Sequence, residues 1–198
     1  MSAPRGDRDA ILERLAELRA ADAPTHGGHV LSYVYDSGLA ELDELAADAI
    51  RMVQPVNGLD PTTFTSVAVL ERELIGFVRD LLHGDEEVVG SVTTGGTESC
   101  LLAVKTARDL WTGSGRPRLL APTTVHAAFH KAAHYFGLEL DLVPVGADGA
   151  LDPERLVERL GDDVALVVVS APSYPVAELD PVEADPSDET LVLADARV

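Results

Sequence analysis

A loop rich in glycine and threonine is the part of this sequence best suited to chemistry. Residues 93–99 are Thr-Thr-Gly-Gly-Thr-Glu-Ser. They follow an apolar run at 88–92 and precede a segment with helical periodicity at 98–111. Such a loop gathers backbone N–H groups and hydroxyls around one point, at the positive end of a helix dipole. The segment therefore predicts a binding site for a phosphate group.

Three helices are predicted before this loop. Apolar residues recur at helical spacing over residues 8–21, over a segment that ends near Ala49, and over residues 65–82. Ser37 is the predicted N-cap of the second helix, because a serine hydroxyl accepts hydrogen bonds from N–H groups of a first turn.

Strands and helices are predicted to alternate from the loop onward. The apolar runs predict strands at 88–92, 119–121, 139–145, 164–170 and 191–195. The segments between the first four predict helices at 98–111, 124–136 and 152–160, the last with Asp152 as N-cap and Pro153 at its first position. This alternation predicts an α/β fold with a mostly parallel sheet flanked by helices.

Polar residues follow the predicted strands at the positions where such a fold binds ligands. In parallel sheets, ligands lie at the carboxyl ends of the strands. The phosphate loop follows the first predicted strand and His126 follows the second, while Ser170 and Asp195 end two others. We therefore expect these residues to share one edge of the sheet.

Composition limits the classes of partner. The chain has 198 residues and a formal net charge of −19, so its surface repels nucleic acids and anionic lipids. Its single cysteine, Cys100, permits no internal disulfide framework, and no apolar run reaches the length of a membrane span. These features predict a soluble cytoplasmic protein with a small-molecule ligand, and Cys100 is interpreted as a core residue.

Three short motifs in order resemble one enzyme family. Residues 91–99 are Ser-Val-Thr-Thr-Gly-Gly-Thr-Glu-Ser, residues 124–132 are Thr-Val-His-Ala-Ala-Phe-His-Lys-Ala, and residues 170–175 are Ser-Ala-Pro-Ser-Tyr-Pro, followed by Asp180-Pro181. Together they resemble the group II pyridoxal-phosphate-dependent decarboxylases, and within them the sphingosine-1-phosphate lyase branch. The resemblance covers roughly residues 28–183 and implies the large domain of fold type I pyridoxal-phosphate (PLP) enzymes.

The resemblance implies a role for each motif. Thr94, Gly95, Gly96 and Thr97 would hold the phosphate of PLP, and His126 would stack on the pyridine ring and take part in proton transfer. Ser170 would lie at the edge of the ring. Asp195 either is the family's aspartate, which pairs with the pyridinium nitrogen, or shares its Asp-Ala pair by coincidence. The implied reaction is carbon–carbon bond cleavage in an amino acid or amino-alcohol phosphate, and the implied assembly is a homodimer.

The sequence departs from the family pattern in two places. The family needs a lysine that bonds covalently to PLP, and this lysine comes after the aspartate, whereas the two lysines of this chain are Lys105 and Lys131. Residues 184–189 are rich in Asp, Pro and Ser and lack an apolar helical face. We therefore expect an incomplete chain: a helical segment at 1–64 and a partial PLP-binding domain at 65–198, without the small C-terminal domain.

Other interpretations follow from these departures. The chain is either part of a lyase, most simply an amino-acid decarboxylase, or a catalytically inactive remnant or interaction module that keeps half of the fold. Transamination is a third possibility on the same fold. His126, His130 and His134 recur every four residues and could share a metal, but no further ligand lies beside them in the sequence, so stacking by His126 is preferred and no metal site is predicted.

Overall fold

The structure of the chain is a computed structural model, which describes residues 7–30 and 36–181 and the backbone of 192–195. By its internal contacts the chain divides into two compact units, residues 1–87 and 88–198. The two units are described separately below. The division into functional segments at residue 64 stays a prediction.

The first unit contains three helices close to the predicted positions. They are α1 (Arg8–Arg19), α2 (Ala40–Val53) and α3 (Thr65–Leu81). The prediction that Ser37 caps α2 is wrong, because Leu39 is the N-cap and makes no side-chain capping bond. The Ser37 hydroxyl instead accepts from the N–H of Leu39 at 3.2 Å. This bond goes to the N-cap residue and not to an N–H group in the first turn of α2.

The helices of the first unit leave their apolar faces exposed. None of the residues in α1, α2 or α3 is buried, and the Phe77 ring, for example, is 66% exposed. None of the helices among the described residues is long and apolar enough to cross a membrane. The predicted helical periodicity is therefore confirmed, while none of the residues described in these three helices is fully buried.

The second unit is an α/β arrangement in which helices and strands alternate. Its helices are α4 (Gly96–Leu110), α5 (Ala127–Phe136) and α6 (Pro153–Val157), and its strands are β1 (Arg118–Pro122), β2 (Glu139–Val143), β3 (Val164–Ser170) and β4 (Val192–Asp195). The four strands form one parallel sheet in the order β2-β1-β3-β4. Asp152 is the N-cap of α6, as predicted, and accepts from the Glu154 N–H at 3.0 Å.

The predicted buried strand at 88–92 is wrong. These residues have no strand assignment, and Val89 is 87% exposed. A strand needs a hydrogen-bonded neighbour, and the four strands of the described sheet pair only with one another. The apolar run before the phosphate loop therefore has the composition of a strand, but it does not pair with any strand of the described sheet.

Side chains alternate between two cores on opposite faces of the sheet. Leu119 and Leu166 pack in one cluster with residues of α4 and α5, including Val104 and Phe129. On the other face, Leu120 and Val167 pack with residues of the following cluster: Val143, Leu151, Leu156, Val164 and Val169. Because successive strand residues point to opposite faces, a sheet that is apolar on both faces must be covered on both, which produces three layers.

An ion-pair network ties the amino-terminal ends of the strands together. Arg118 donates to Asp141 at 2.6 Å and to the two oxygens of Asp163 at 3.0 and 2.8 Å. Arg159 donates to the other oxygen of Asp141 at 2.5 Å. Hydrogen bonds from Arg118 hold the pKa of the Asp163 carboxyl below its usual value. The network lies at the edge opposite the predicted ligand site.

Candidate functional site

Gly95 and Gly96 leave the start of α4 open. Gly95, the N-cap, has a φ of 155°, a conformation that L side chains rarely adopt, and no side chain caps the helix there. A Cβ built on either glycine would meet no atom within 4 Å. Since the first N–H groups of a helix have no partner within it, Gly96 and Thr97 can present theirs to an anion. This part of the loop fits a phosphate.

Thr94 is engaged inside the loop. Its N–H and its hydroxyl both donate to a Glu98 carboxylate oxygen at 2.7 Å, and these bonds lower the pKa of the Glu98 carboxyl. The hydroxyls of Thr93 and Ser99 lie 2.7 Å apart. These bonds shape the loop from within, and they leave Thr94 with fewer free donors than its neighbours in the motif.

His126 is the N-cap of α5, just past the end of β1. Its Nδ1 accepts from the Ala128 N–H at 3.2 Å, and its ring is half-buried. A neutral histidine that accepts through Nδ1 carries its proton on Nε2. The same side chain therefore starts a helix and presents an N–H donor away from it. His130 and His134 are exposed, and the described residues contain no group of three or more potential metal ligands.

Ser170 is buried at the end of β3, where it is tied to Asp180. The Ser170 N–H donates to Asp180 Oδ2 at 2.8 Å, and the Asp180 N–H donates to the Ser170 carbonyl at 2.9 Å. Two further backbone bonds close the loop between them, from Ser173 to Glu178 and from Ala177 to Ser173, each 2.8 Å. Burial raises the pKa of the Asp180 carboxyl.

The strand register places two of the predicted positions side by side. Leu120 of β1 pairs with Val167 of β3, so both strands leave the sheet at a similar level. Ser170 pairs directly with Asp195 of β4 through their Cα positions. The backbone therefore brings Ser170 and Asp195 side by side at the carboxyl edge, while the Asp195 side chain lies outside the described residues.

Sequence reasoning missed several polar groups at this edge. Among the described residues, four buried side-chain atoms have no hydrogen-bond partner: Arg108 Nε, Thr124 Oγ1, Ser173 Oγ and Asp180 Oδ1. Three of the four follow β1 or β3 at their carboxyl ends. Buried polar groups are ordinarily paired, so this concentration is typical of a ligand-binding edge. The sequence signal that could have identified Thr124, Ser173 and Asp180 is their position in, or directly after, the second and third motifs.

The two lysines make local contacts on helices of the second unit. The Lys105 ammonium pairs with Asp109 one turn along α4, and the Lys131 ammonium lies 5.7 Å from the centroid of the Tyr135 ring. Neither is among the polar groups that follow the strands.

No protein-family model matches the chain. Its sequence is 36% identical over 174 residues to mouse sphingosine-1-phosphate lyase 1, covering 87% of this chain and 30% of that protein. Its structure is similar to that of Burkholderia pseudomallei sphingosine-1-phosphate lyase, with a TM-score of 0.78 and 28% identity over 92% of this chain and 44% of that one.

A glutamate decarboxylase from Lactobacillus brevis shares the fold. The TM-score is 0.72 at 17% identity, again over 92% of this chain and 44% of the other. The chain spans about a third of the length of the curated relatives that it matches. By sequence, the chain is thus a homologue of sphingosine-1-phosphate lyases over the part of those proteins that it spans, and by fold it is similar to a glutamate decarboxylase.

Proposed function

We propose that the chain is the cofactor-binding portion of a PLP-dependent carbon–carbon lyase that acts on an amino acid or an amino-alcohol phosphate. The observation that carries the proposal is the open start of α4, in a chain homologous to sphingosine-1-phosphate lyases. The polar ends of β1 and β3 support it. When bound, PLP supplies an electron-accepting ring for the bond-breaking step.

The phosphate loop supplies the strongest anchor in this proposal. Gly95, Gly96 and Thr97 bind the phosphate through N–H groups and the Thr97 hydroxyl, and Thr94 completes the loop. The lack of a Cβ at Gly95 and Gly96 lets the backbone approach the anion closely. The acidic surface makes this local donor cluster the more important, because the net charge of −19 opposes anion binding elsewhere.

His126, Ser170 and Asp195 are assigned to the ring. His126 stacks on it, is held by its own N-cap bond, and presents Nε2 as the atom that gives or takes a proton. Ser170 lies at the ring edge. Asp195, next to Ser170 in the register, holds a proton on the ring nitrogen.

A lysine that bonds to the cofactor is not part of this proposal for the chain. Lys105 and Lys131 make the helical contacts described above. We propose that the chain by itself binds PLP without turnover. The second candidate function is an inactive remnant or interaction module. The two candidates differ in whether the phosphate loop retains PLP.

We also propose that a second copy of the chain covers the exposed apolar faces of α1, α2 and α3. Amphipathic helices derive most of their stability from packing of the apolar face. Light scattering coupled to size exclusion tests this proposal: a dimer is expected, and a monomer at micromolar concentration would contradict it.

The proposed function is tested by comparing PLP with pyridoxal, which lacks the phosphate. The chain is expected to bind PLP at least about tenfold more tightly, because each good charge-assisted hydrogen bond contributes about 1.5–3 kcal/mol. Thr97→Ala should weaken PLP binding by about tenfold, while the matched control Thr62→Ala, in the other unit, should not change it.

A lysine control separates site binding from surface chemistry. PLP reacts with exposed amines, so the same titrations are made on a Lys105→Arg, Lys131→Arg double variant. Binding that survives in this variant and falls in Thr97→Ala supports the proposal. Binding that is lost in the lysine variant and unaffected by Thr97→Ala would refute it.

A further inference from the structure

The carboxyl group of Asp180 is an unusual feature of the second unit. The residue is 3% exposed, and its two carboxylate oxygens differ: Oδ2 accepts from the Ser170 N–H, whereas Oδ1 is buried with no partner among the described residues. Asp180 follows the third sequence motif, and the sequence alone predicts no role for it. Burial of a carboxyl with one free oxygen is costly, so the position needs an explanation.

The bonds of Asp180 converge on one residue. Its side chain accepts from the Ser170 N–H, and its backbone N–H donates to the Ser170 carbonyl. The two bonds form a closed ring between residues ten positions apart in sequence, and this ring is buried at both ends because Ser170 is also buried. A single residue, through its carboxyl and its backbone N–H, thus ties the end of the loop to its start.

We propose that Asp180 is a positioning residue that fixes Ser170 at the carboxyl end of β3, where the cofactor site requires it. This rests on the proposed function for the role of Ser170. Without the Oδ2 bond, the Ser170 N–H would have to find another acceptor at the end of a strand. The loop would then be held only by backbone bonds, and Ser170, the last paired residue of β3 in the register with β4, would be free to fray.

The free polar atoms around the loop support the proposal. Ser173 is 1% exposed and its hydroxyl has no partner among the described residues, like Asp180 Oδ1 and Thr124 Oγ1. A loop that served only to connect two elements would leave few such groups unpaired. Ser173 Oγ and Asp180 Oδ1 both belong to the loop that follows β3, which supports a loop shaped to present polar atoms.

The first test needs no cofactor. Amide hydrogen exchange of the full chain is measured by NMR for Ser170 and, as an internal reference, for Val168 in the middle of β3. Asp180→Ala should speed exchange at Ser170 by about tenfold or more relative to Val168, because the acceptor is gone. Asp180→Asn keeps an oxygen acceptor and should stay within about threefold of the unaltered chain. Equal acceleration at both amides would indicate general destabilisation and overturn the proposal.

The second test links Asp180 to the cofactor through a double-mutant cycle on PLP affinity. Ser170→Ala and Asp180→Ala should each weaken PLP binding by about tenfold, and the double variant should bind no more weakly than Ser170→Ala alone, because Asp180 acts through Ser170. Asp180→Asn should restore most of the affinity. Additive losses, or normal affinity in Asp180→Ala, would overturn the positioning role while the proposed function stands. An unaltered chain that does not bind PLP would refute the proposed function, and the exchange ratio would then decide by itself whether Asp180 fixes Ser170 and the loop.

Discussion

The two units of this chain have similar helical patterns and opposite burial. In the first unit, α1, α2 and α3 follow the predicted apolar spacing, yet none of their residues is buried. In the second unit, α4 and α5 have comparable spacing and contribute Val104, Ala107 and Phe129 to a closed core. The difference is the sheet, which gives the second unit a surface to cover. Periodicity thus determines the helix, and the neighbouring layer determines the burial.

The largest expected difference between the units is the cost of losing a leucine side chain. Leu166→Ala removes a fully buried side chain between the sheet and its helices, and should lower the free energy of unfolding by about 2–5 kcal/mol. Leu59→Ala, at a position 90% exposed in the first unit, should change it by less than about 0.5 kcal/mol. Urea denaturation followed by circular dichroism measures both. Similar losses would erase the contrast between the units.

A smaller difference is expected between ion pairs. The Arg118 side chain is 16% exposed and holds two aspartates. Arg118→Met should cost about 1–3 kcal/mol, because the part-buried Asp141 and both oxygens of Asp163 lose a charged donor. Arg14 and Glu17 form an exposed pair on α1 at 2.9 Å, and Arg14→Met should cost less than about 0.5 kcal/mol. The same denaturation experiment reads both, and an equal cost would show that the network contributes no more than a surface pair.

The smallest expected effects are opposite shifts in the pKa of two aspartates, one in each unit. Hydrogen bonds from Thr62 and Thr63 lower the pKa of Asp60 to about 2, whereas burial raises the pKa of Asp180. Titration of the two carboxyl carbons by NMR should give a midpoint near 2 for Asp60 and one above the usual aspartate value for Asp180. Asp60→Asn and Asp180→Asn assign the signals.

The two shifts act on stability with opposite signs. Because the pKa of Asp60 is lowered by folding, its contribution is present above the unfolded value and is lost as pH falls from about 4 through about 2. Asp180 binds its proton more tightly in the folded chain, so its contribution is present below the unfolded value and is lost as pH rises through the folded pKa. Midpoints shifted in the same direction would contradict the assignment of burial at Asp180.

Much of the fold could be predicted from the sequence because its elements have strong local patterns. Positions 164–169 are continuously apolar and lie in β3, which is covered on both faces. Residues 88–92 have a similar composition and form no strand among the described residues, because pairing is a long-range property. Ser37 is not the N-cap for a local reason. Gly38 has a φ of 69°, and the N-cap is the next residue, Leu39.

Sequence motifs identify the candidate residues of the site, whereas the contacts of those residues depend on three-dimensional structure. The phosphate loop, His126 and Ser170 all stand in recognisable motifs, and the last two lie at or just past the ends of β1 and β3. That Glu98 engages the donors of Thr94 and that Asp180 holds Ser170 could not be inferred from spacing, since both depend on the path of a loop in three dimensions. Polar residues inside a motif are therefore worth testing even when the motif assigns them no role.

The central claim is that PLP binds at the carboxyl edge of the sheet, with its phosphate at the start of α4. The most direct measurement is an NMR titration of the full chain with PLP, using the Lys105→Arg, Lys131→Arg variant to remove surface chemistry. Saturable shifts at the amides of Gly96, Thr97, Ala128 and Ser170 are predicted, with the amides of α1 and α2 unchanged. Shifts confined to other residues, or none at millimolar PLP, would contradict the claim.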